Sequence, residues 1–423
     1  MCISIITYSL LRYKAIILRE GIIKMSDHAR SGTKRIWITA WMVTAVFILS
    51  NSATPLYIQW QGQMGFTNGT LTLIFAAYII GLLATLLVAG QLSDRFGRKP
   101  VLFPGLSAAL VACVMFASAS SVIMLVIARL LSGVAVGVIV TAGMASVVDA
   151  GGPSKKYLSS LAASVAMVLG AGLGPLLAGI MAQELAKPAV PIFIMEFIIL
   201  VTAFIVASSL PRHQNRERLE DPSSKWRLRL PGVDTPNRTH LALGIAVFAP
   251  GITSTSFVLS LGPSLLSKLI HVTSPLVAGG TACAMFLAAT GVQFGVKKLA
   301  IRQILFLGSL AVLLSMVSMA AAVNLSVASL LVIAAVFAGM GQGLGQLGGL
   351  TLISLHVPEF RRAEANAVLN LGGYIPAALL PVGTGFLIDS TSLAFGATLF
   401  TVVLIAASIV GACFVAARLK QEH

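Results

Sequence analysis

Charged side chains are scarce in this sequence. Asp, Glu, Lys and Arg make up 10% of its 423 residues, and hydrophobic residues make up 57%. A soluble domain carries about 25% charged residues, so this chain has too little polar surface to cover a water-exposed core and falls in the membrane class. Cysteine is rare as well. Cys2, Cys113, Cys283 and Cys413 show no metal-ligand spacing, and three of them sit in apolar runs, which reads as buried, inert thiols. No metal and no cofactor are expected. The six histidines are scattered, with no HExxH pattern, no paired acids and no Walker loop, which speaks against a membrane-embedded enzyme. No added soluble domain is legible either, which speaks against a receptor.

What the sequence does have is long apolar runs. Twelve start near Ile36, Thr70, Pro100, Val122, Leu158, Ala189, Leu241, Ser274, Gln303, Val327, Ala365 and Leu393. A helix needs ~20 apolar residues to cross a bilayer, and backbone amides in lipid must be satisfied internally. Unbroken runs without strict alternation exclude a barrel, so the expected fold is all-α with twelve transmembrane helices. The net charge of +15 is sorted. With the N-terminus inside, Lys187 and Lys268 fall in outer loops and Arg129 falls inside a span. Every other Lys and Arg is cytoplasmic, which is the positive-inside signature. The basic excess therefore records orientation, with both termini cytoplasmic, and does not imply a nucleic-acid partner.

Residues 1–35 form a cytoplasmic lead. Its opening, MCISIITYSLLRYKAIILREGIIK, is too short to span. It reads as an in-plane amphipathic helix anchored by Arg12, Lys14 and Arg19, or as sequence ahead of a true start at Met25; the second is preferred. Trp37 and Trp41 at one end of span one, and Tyr57 and Trp60 at the other, are expected at the two headgroup levels. A polar, proline-containing stretch over 211–240 reads as a central linker, with a helical piece around Trp226 lying on the membrane. It separates six spans over 36–210 from six over 241–417, ahead of a tail at 418–423. The halves echo one another. VLFPG at Val101 answers ILFLG at Ile304, and LVIARLLSGVAVG at Leu125 answers LVIAAVFAGMGQG at Leu331. That alignment sets Gly133 over Gly339 and Gly137 over Gly343. Parallel six-span repeats are a transporter architecture with the substrate site between the halves.

One turn concentrates charge between two apolar runs: GQLSDRFGRKP, residues 90–100. Gly90, Leu92, Asp94, Arg95, Gly97, Arg98 and Lys99 fall in register with the signature loop after span two of the major facilitator superfamily, which the chain resembles from about Trp37 to Arg418. The resemblance implies two pseudo-symmetric six-helix bundles that rock about a central gap. Gly90 would allow close helix approach and Gly97 a tight reversal. The resemblance further implies that Asp94 docks on the N-terminus of span eleven, near Ala365 and Asn366, where the helix dipole favours an anion. Arg98 is implied to pair with Asp149 at the end of span four. Arg95 and Lys99 suit a positive-inside staple. The matching loop of the second half keeps Lys297, Lys298 and Arg302 but has no acid, so the latch is one-sided.

Within the membrane, Arg129 and Glu196 are charged groups at similar depth in one half. Charge there is costly and marks function or a buried pair, and the two are expected to approach each other and to exchange partners with protons or substrate. The Arg129 segment resembles the superfamily's span-four motif, whose arginine is implicated in proton handling or in holding the cavity together. Gly170, Gly174, Pro175 and Gly179 give span five a flat, kinked face similar to the superfamily's antiporter motif, although Leu161 stands where an upstream glycine belongs. Candidate cavity residues are the polar groups Asn51, Thr54, Gln342, Gln346, Asn370 and Tyr374, with Met285 and Phe286 as an adaptable apolar wall. The leading expectation is a monomeric, proton-coupled exporter of small amphipathic molecules in a bacterial inner membrane. Its partners would be small-molecule substrate, protons and membrane lipid. A symporter or importer of a sugar, organic acid or amino acid on the same fold stands as the alternative.

Overall fold

The computed structural model describes residues 33–210, 237–269, 271–358 and 361–419, with the side chains of Asp94, Pro153, Leu269 and Ala363 left outside. The opening segment with Met25, the helical piece around Trp226 and most of the linker lie outside the described residues, as does Cys2. No strand occurs among the described residues.

Among the described residues, twelve helices are long and apolar enough to cross a membrane. In chain order they are α1 (Thr33–Met64), α2 (Asn68–Phe96), α3 (Arg98–Ala117), α4 (Val122–Gly151), α5 (Lys156–Glu184) and α6 (Ala189–Ser209). The second set is α7 (Arg238–Lys268), α8 (Pro275–Gly295), α9 (Ile301–Leu325), α10 (Ala328–His356), α11 (Arg362–Ser390) and α12 (Leu393–Arg418). α7 starts at Arg238, so the linker is slightly shorter than its polarity suggests. The polar first turn of α7 belongs to the helix because its backbone bonds are local whatever the side chains face.

With an even number of spans, Thr33 and Arg418 share one end of the bundle, here the near end. At the opposite, far end four of the six helices that start there carry side-chain caps. The side chains of Thr67, Ser121, Ser274 and Ser392 accept from backbone N–H groups in the first turns of α2, α4, α8 and α12, satisfying donors that have no partner within the helix. At the near end the charged turn is tighter than a loop. α2 runs to Phe96, α3 starts at Arg98, and Gly97 alone makes the reversal with φ +88°, a conformation open to glycine and strained for other residues.

The first six and last six helices each carry a main hydrophobic core. In the first half α2 packs on α4, and α3 on α4 and α6; in the second α8 packs on α10, and α9 on α10 and α12. The glycines aligned by the sequence repeat occupy corresponding places. A Cβ at Gly133 would collide with the Tyr78 carbonyl of α2, and one at Gly339 with the Met285 carbonyl of α8. Gly137 and Gly343 pack one turn further along the same two partners.

Two helix pairs carry most of the contact between the halves, α2 with α11 and α5 with α8, with smaller contacts of α1 on α7 and α8 and of α2 on α7. Both are closed at the far end. A Cβ at Gly385 would lie 2.8 Å from the Asn68 carbonyl and 3.0 Å from Gly69 Cα, and one at Gly179 would lie 2.7 Å from the Pro275 carbonyl and 3.3 Å from Gly279 Cα. α1 and α7 are central, each 78% buried over its most apolar window, whereas α6 is peripheral at 28%.

Tyr57 and Trp60 depart from the expected aromatic belt. Trp37 and Trp41 are 46% and 38% exposed as an interface would have them, but Tyr57 and Trp60 are buried at 0% and 3%. The reason is that α1 does not end after twenty residues. It breaks at Pro55 into a short 3₁₀ turn, Thr54–Leu56, and continues to Met64. That extra length turns Trp60 into the first half, where its ring stacks 6.0 Å from Phe116 and 6.3 Å from Phe193.

Candidate functional site

At the near end the structure brings Arg98 to Asp149. Arg98 Nε lies 3.3 Å from Asp149 Oδ2, and Arg98 Nη1 donates to Ser93 Oγ at 2.9 Å. The ion pair is partly exposed, at 32% and 48%, so it contributes about 0–1 kcal/mol. Lys99 does more than staple. Its Nζ donates to the Leu210 carbonyl at 3.2 Å and to that of Ser208, placing a cation on the C-terminus of α6 where the dipole favours it. Arg95 lies 5.5 Å from the Phe96 ring. Asp94 is on the last turn of α2, and its side chain lies outside the described residues. Gly90 differs from expectation. A Cβ there would meet nothing within 4 Å, because the close crossing of α2 with α11 lies at its other end.

Arg129 is completely buried on α4. α1 stops being α-helical after Ser52, and Pro55 has no N–H to offer, so carbonyls at the break lack their usual donors. Arg129 Nη1 donates to the Ser50 carbonyl at 2.5 Å, and Arg129 Nε donates to the Tyr57 hydroxyl beyond the break. The guanidinium also lies 5.1 Å from the Tyr57 ring, 5.7 Å from Phe116 and 5.8 Å from Phe75. One cation thus clamps both sides of a discontinuity in a central helix. Ser50 and Tyr57 were not among the candidates from sequence; the polar cluster Asn51–Thr54 ahead of Pro55 was the available signal.

The expected approach of Arg129 and Glu196 does not occur as a bonded pair. Glu196 is 1% exposed, both its oxygens and Arg129 Nη2 are without hydrogen-bond partners, and no ion pair joins the two. The α1 break takes Arg129 Nε and Nη1, and the remaining Nη2 does not come within hydrogen-bond distance of the carboxyl. Glu196 lies one turn from Phe193, whose carbonyl accepts from Cys113 Sγ at 2.9 Å; the polar groups near its carboxyl are the Ser52 hydroxyl, which donates to the Ile48 carbonyl at 2.7 Å, and the Arg129 guanidinium.

The flat face of α5 serves two partners. Gly170 and Gly174 lie against the Thr44 and Ile48 carbonyls of α1, while the Pro175 carbonyl and Gly179 meet Gly279 and Pro275 of α8. One run of small residues therefore fixes α1 inside the first half and the junction with the second.

The candidate cavity residues are dispersed. Asn51 is 8% exposed and donates to Ser50 Oγ at 3.0 Å. Thr54 is not on an open cavity. It is 1% exposed and sits against Val258, Leu266, Ala278 and Leu331 of α7, α8 and α10 at the sealed far end, because Pro55 turns the chain there toward the second half. Gln342 and Gln346 are half-buried on α10, with Gln342 Oε1 buried and unpartnered. Asn370 donates to its own helix, to the Asn366 carbonyl at 2.9 Å. Met285 is fully buried under Gly339 and is not a cavity wall. Three half-buried side chains pack against both main cores: Tyr78 of α2, Phe286 of α8 and Tyr374 of α11. Tyr374 meets Phe248 edge to face at 6.3 Å. Tyr78 was missed from sequence because an aromatic residue in an apolar run carries no local mark of facing the other half. A separate apolar groove of about 380 Å³ lies between the near-end parts of α2, α3 and α4, lined by Thr85, Val88, Leu92, Phe96, Val101 and Val138 among others. No cluster of metal-ligating side chains occurs among the described residues.

This arrangement has relatives. A triacylglyceride transporter of Mycobacteroides abscessus is 28% identical over 184 residues, 43% of this chain and 34% of that protein. The multidrug resistance protein MdtL of a Shewanella species is 42% identical over 80 residues, 19% of this chain and 20% of its own. The matched stretches thus span a fifth to a third of these relatives. Among solved structures, the nucleoside transporter NupG superposes with a TM-score of 0.70 at 11% identity, covering 92% of this chain and all of that one. A bacterial homologue of the human lysosomal transporter Spinster gives 0.69 at 14% identity, covering 91% and 96%. At such identities the likeness concerns the fold. The sequence model of the Major Facilitator Superfamily matches residues 36–328. Together with twelve spans and paired six-helix halves, that match establishes that the chain is a multi-pass membrane transporter, not an enzyme, and belongs to the Major Facilitator Superfamily.

Proposed function

We propose that this transporter exports small amphipathic molecules in exchange for protons by alternating access, as a monomer in a bacterial inner membrane. Its near end and both termini would face the cytoplasm. The observation that carries the proton arm is Glu196, a carboxyl group at membrane depth neither of whose oxygens has a hydrogen-bond partner, the nearby Ser52 hydroxyl being turned to the Ile48 carbonyl at 2.7 Å. Burying an ionised carboxylate without donors costs several kcal/mol, so the group is suited to hold a proton in this conformation. It would release that proton in one that brings it water or the Arg129 guanidinium. A change in the α1 break would supply the means: Arg129 Nη2 is already without a partner, and Nε and Nη1 are held by Tyr57 and Ser50 only while that break keeps its present shape.

The half-buried aromatics that touch both cores, Tyr78, Phe286 and Tyr374, offer a surface with apolar faces and phenolic tips, which fits an amphipathic substrate. Export is supported by the Gly170–Gly179 pattern and by the short MdtL matches. Everted membrane vesicles test the direction. With an inward-acidic gradient preset, uptake of an amphipathic dye should dissipate the gradient, and Glu196→Gln should abolish both signals. Dye accumulation that leaves the gradient untouched, or that steepens it, rejects exchange.

A lipid substrate is the second reading, favoured by the apolar groove beside α2 and by the triacylglyceride transporter match. Transfer of a fluorescent triacylglycerol between leaflets by the purified protein would support it, and dye exchange without lipid transfer would remove it.

A further inference from the structure

We propose that Asp389 is the side chain that holds the far-end gate shut, by docking its carboxylate on the N-terminus of α2. Asp389 Oδ1 accepts from Asn68 N at 2.9 Å and from Asn68 Nδ2 at 3.3 Å, and Oδ2 accepts from Gly69 N at 2.8 Å. These backbone groups open the first turn of α2, where N–H donors have no partner inside the helix and the dipole favours an anion. The clasp spans 320 residues of chain and joins the two halves. One turn before Asp389, Gly385 lets α11 rest on Asn68 and Gly69, so the carboxylate arrives on backbones already in contact.

The pseudo-equivalent pair carries the same device. On α5, Gly179 lies against α8, and one turn later Gln183 Oε1 accepts from Ser274 Oγ, the cap of α8, at 2.8 Å. Glycine followed four residues on by an acceptor thus recurs in both halves at the same end. Only the α2–α11 copy is charged. Hydrogen bonds to an ionised acceptor are roughly twice as strong as neutral ones, so Asp389 dominates and Gln183 is the weaker partner. The assignment places a second carboxylate on the helix pair whose near end the sequence assigns to Asp94. If Asp94 takes the mirrored place that the superfamily resemblance implies at the near end, the two clasps compete.

The inference rests on alternating access but not on proton coupling, substrate or direction. The test is pulsed electron–electron resonance on the full chain in nanodiscs. Spin labels are placed through Ser120→Cys and Ser390→Cys at the far end, in a background with the native cysteines replaced. Asp389→Ala should raise the open-distance fraction relative to the closed one about tenfold, the worth of the lost charge-assisted bonds. Asp389→Asn, which keeps one carbonyl acceptor, should fall between, and Gln183→Ala should shift it less. Gly385→Trp serves as the forced-open control, because any side chain there collides with Thr72 and Asn68. If Gly385→Trp opens the far end and Asp389→Ala leaves the distances unchanged, the clasp is overturned while alternating access stands. If neither variant moves them, both fall. An equal shift from Gln183→Ala would overturn the dominance of Asp389.

Discussion

Arg129 and Tyr57 can be tested as a pair, because the structure separates what each contributes. Tyr57→Phe keeps the ring, at 5.1 Å from the guanidinium, and removes only the hydroxyl that accepts from Arg129 Nε. A hydrogen bond to a charged group contributes about 1.5–3 kcal/mol, so the single change should cost about that much. Arg129→Met removes the same bond, the bond to the Ser50 carbonyl and the contacts with three rings. It also removes a fully buried charge, whose desolvation costs several kcal/mol. The two effects oppose, and the net loss should be on the order of 2–4 kcal/mol, smaller than the sum of the deleted contacts. The double variant then isolates the shared bond, with a coupling of about 1.5–3 kcal/mol. Reversible unfolding in mixed micelles, followed by far-ultraviolet circular dichroism, supplies all four corners of the cycle. A coupling under about 0.5 kcal/mol, the scatter expected of independent sites, would refute the clamp across the α1 break. Arg129→Lys adds a second check. A single ammonium lacks the planar fork that serves two acceptors at once, so lysine should restore less than half of the loss.

Other expectations concern packing and exposure. Gly339→Ala and Gly133→Ala should destabilise by similar amounts, about 1–3 kcal/mol each by overpacking, because both would drive a Cβ into the carbonyl of the partner helix; thermal unfolding of the two variants compares the halves directly. Arg98→Ala should cost no more than about 1 kcal/mol at low salt and less at high salt, measured by the same assay. In single-tryptophan variants, lipids brominated near the headgroup should quench Trp37 and Trp41 but not Trp60, whose ring is enclosed by Phe116 and Phe193.

How much of this was legible in the sequence depends on the range of the interaction concerned. The twelve spans follow from composition, since lipid leaves a long apolar run no alternative to a helix. The repeat was legible because Gly133 and Gly339 mark positions where a side chain would meet a neighbouring backbone, and such positions tolerate little else. Gly97 was legible as a reversal for a similarly local reason. The break in α1 left its mark too, in Pro55 and the polar residues before it, but the clamp that answers it lies on α4, and nothing in the Arg129 segment names Ser50 or Tyr57 as partners. Tyr57 and Trp60 misled because an aromatic residue near a span's end looks the same whether it faces headgroups or the core. Thr54 misled in the same way, as a polar group in an apolar run that turned out to sit in the far-end seal. Asp389 was invisible. Its shorter bonds are to two backbone amides on another helix, which carry no sequence signature, and the one side-chain donor, Asn68 Nδ2, lies 321 residues away in the chain.

The proposed exchange requires Glu196 to give up and regain a proton as substrate crosses. Purified protein in liposomes with pyranine trapped in the lumen measures this directly. When an amphipathic dye is driven across by wild-type protein at matched starting pH, the lumen that receives dye should become more alkaline. With Glu196→Gln, any dye that still moves should leave the lumenal pH flat. Equal pH changes in the two proteins, or dye movement in the wild type with no pH change, would contradict the assignment of Glu196 as the proton carrier.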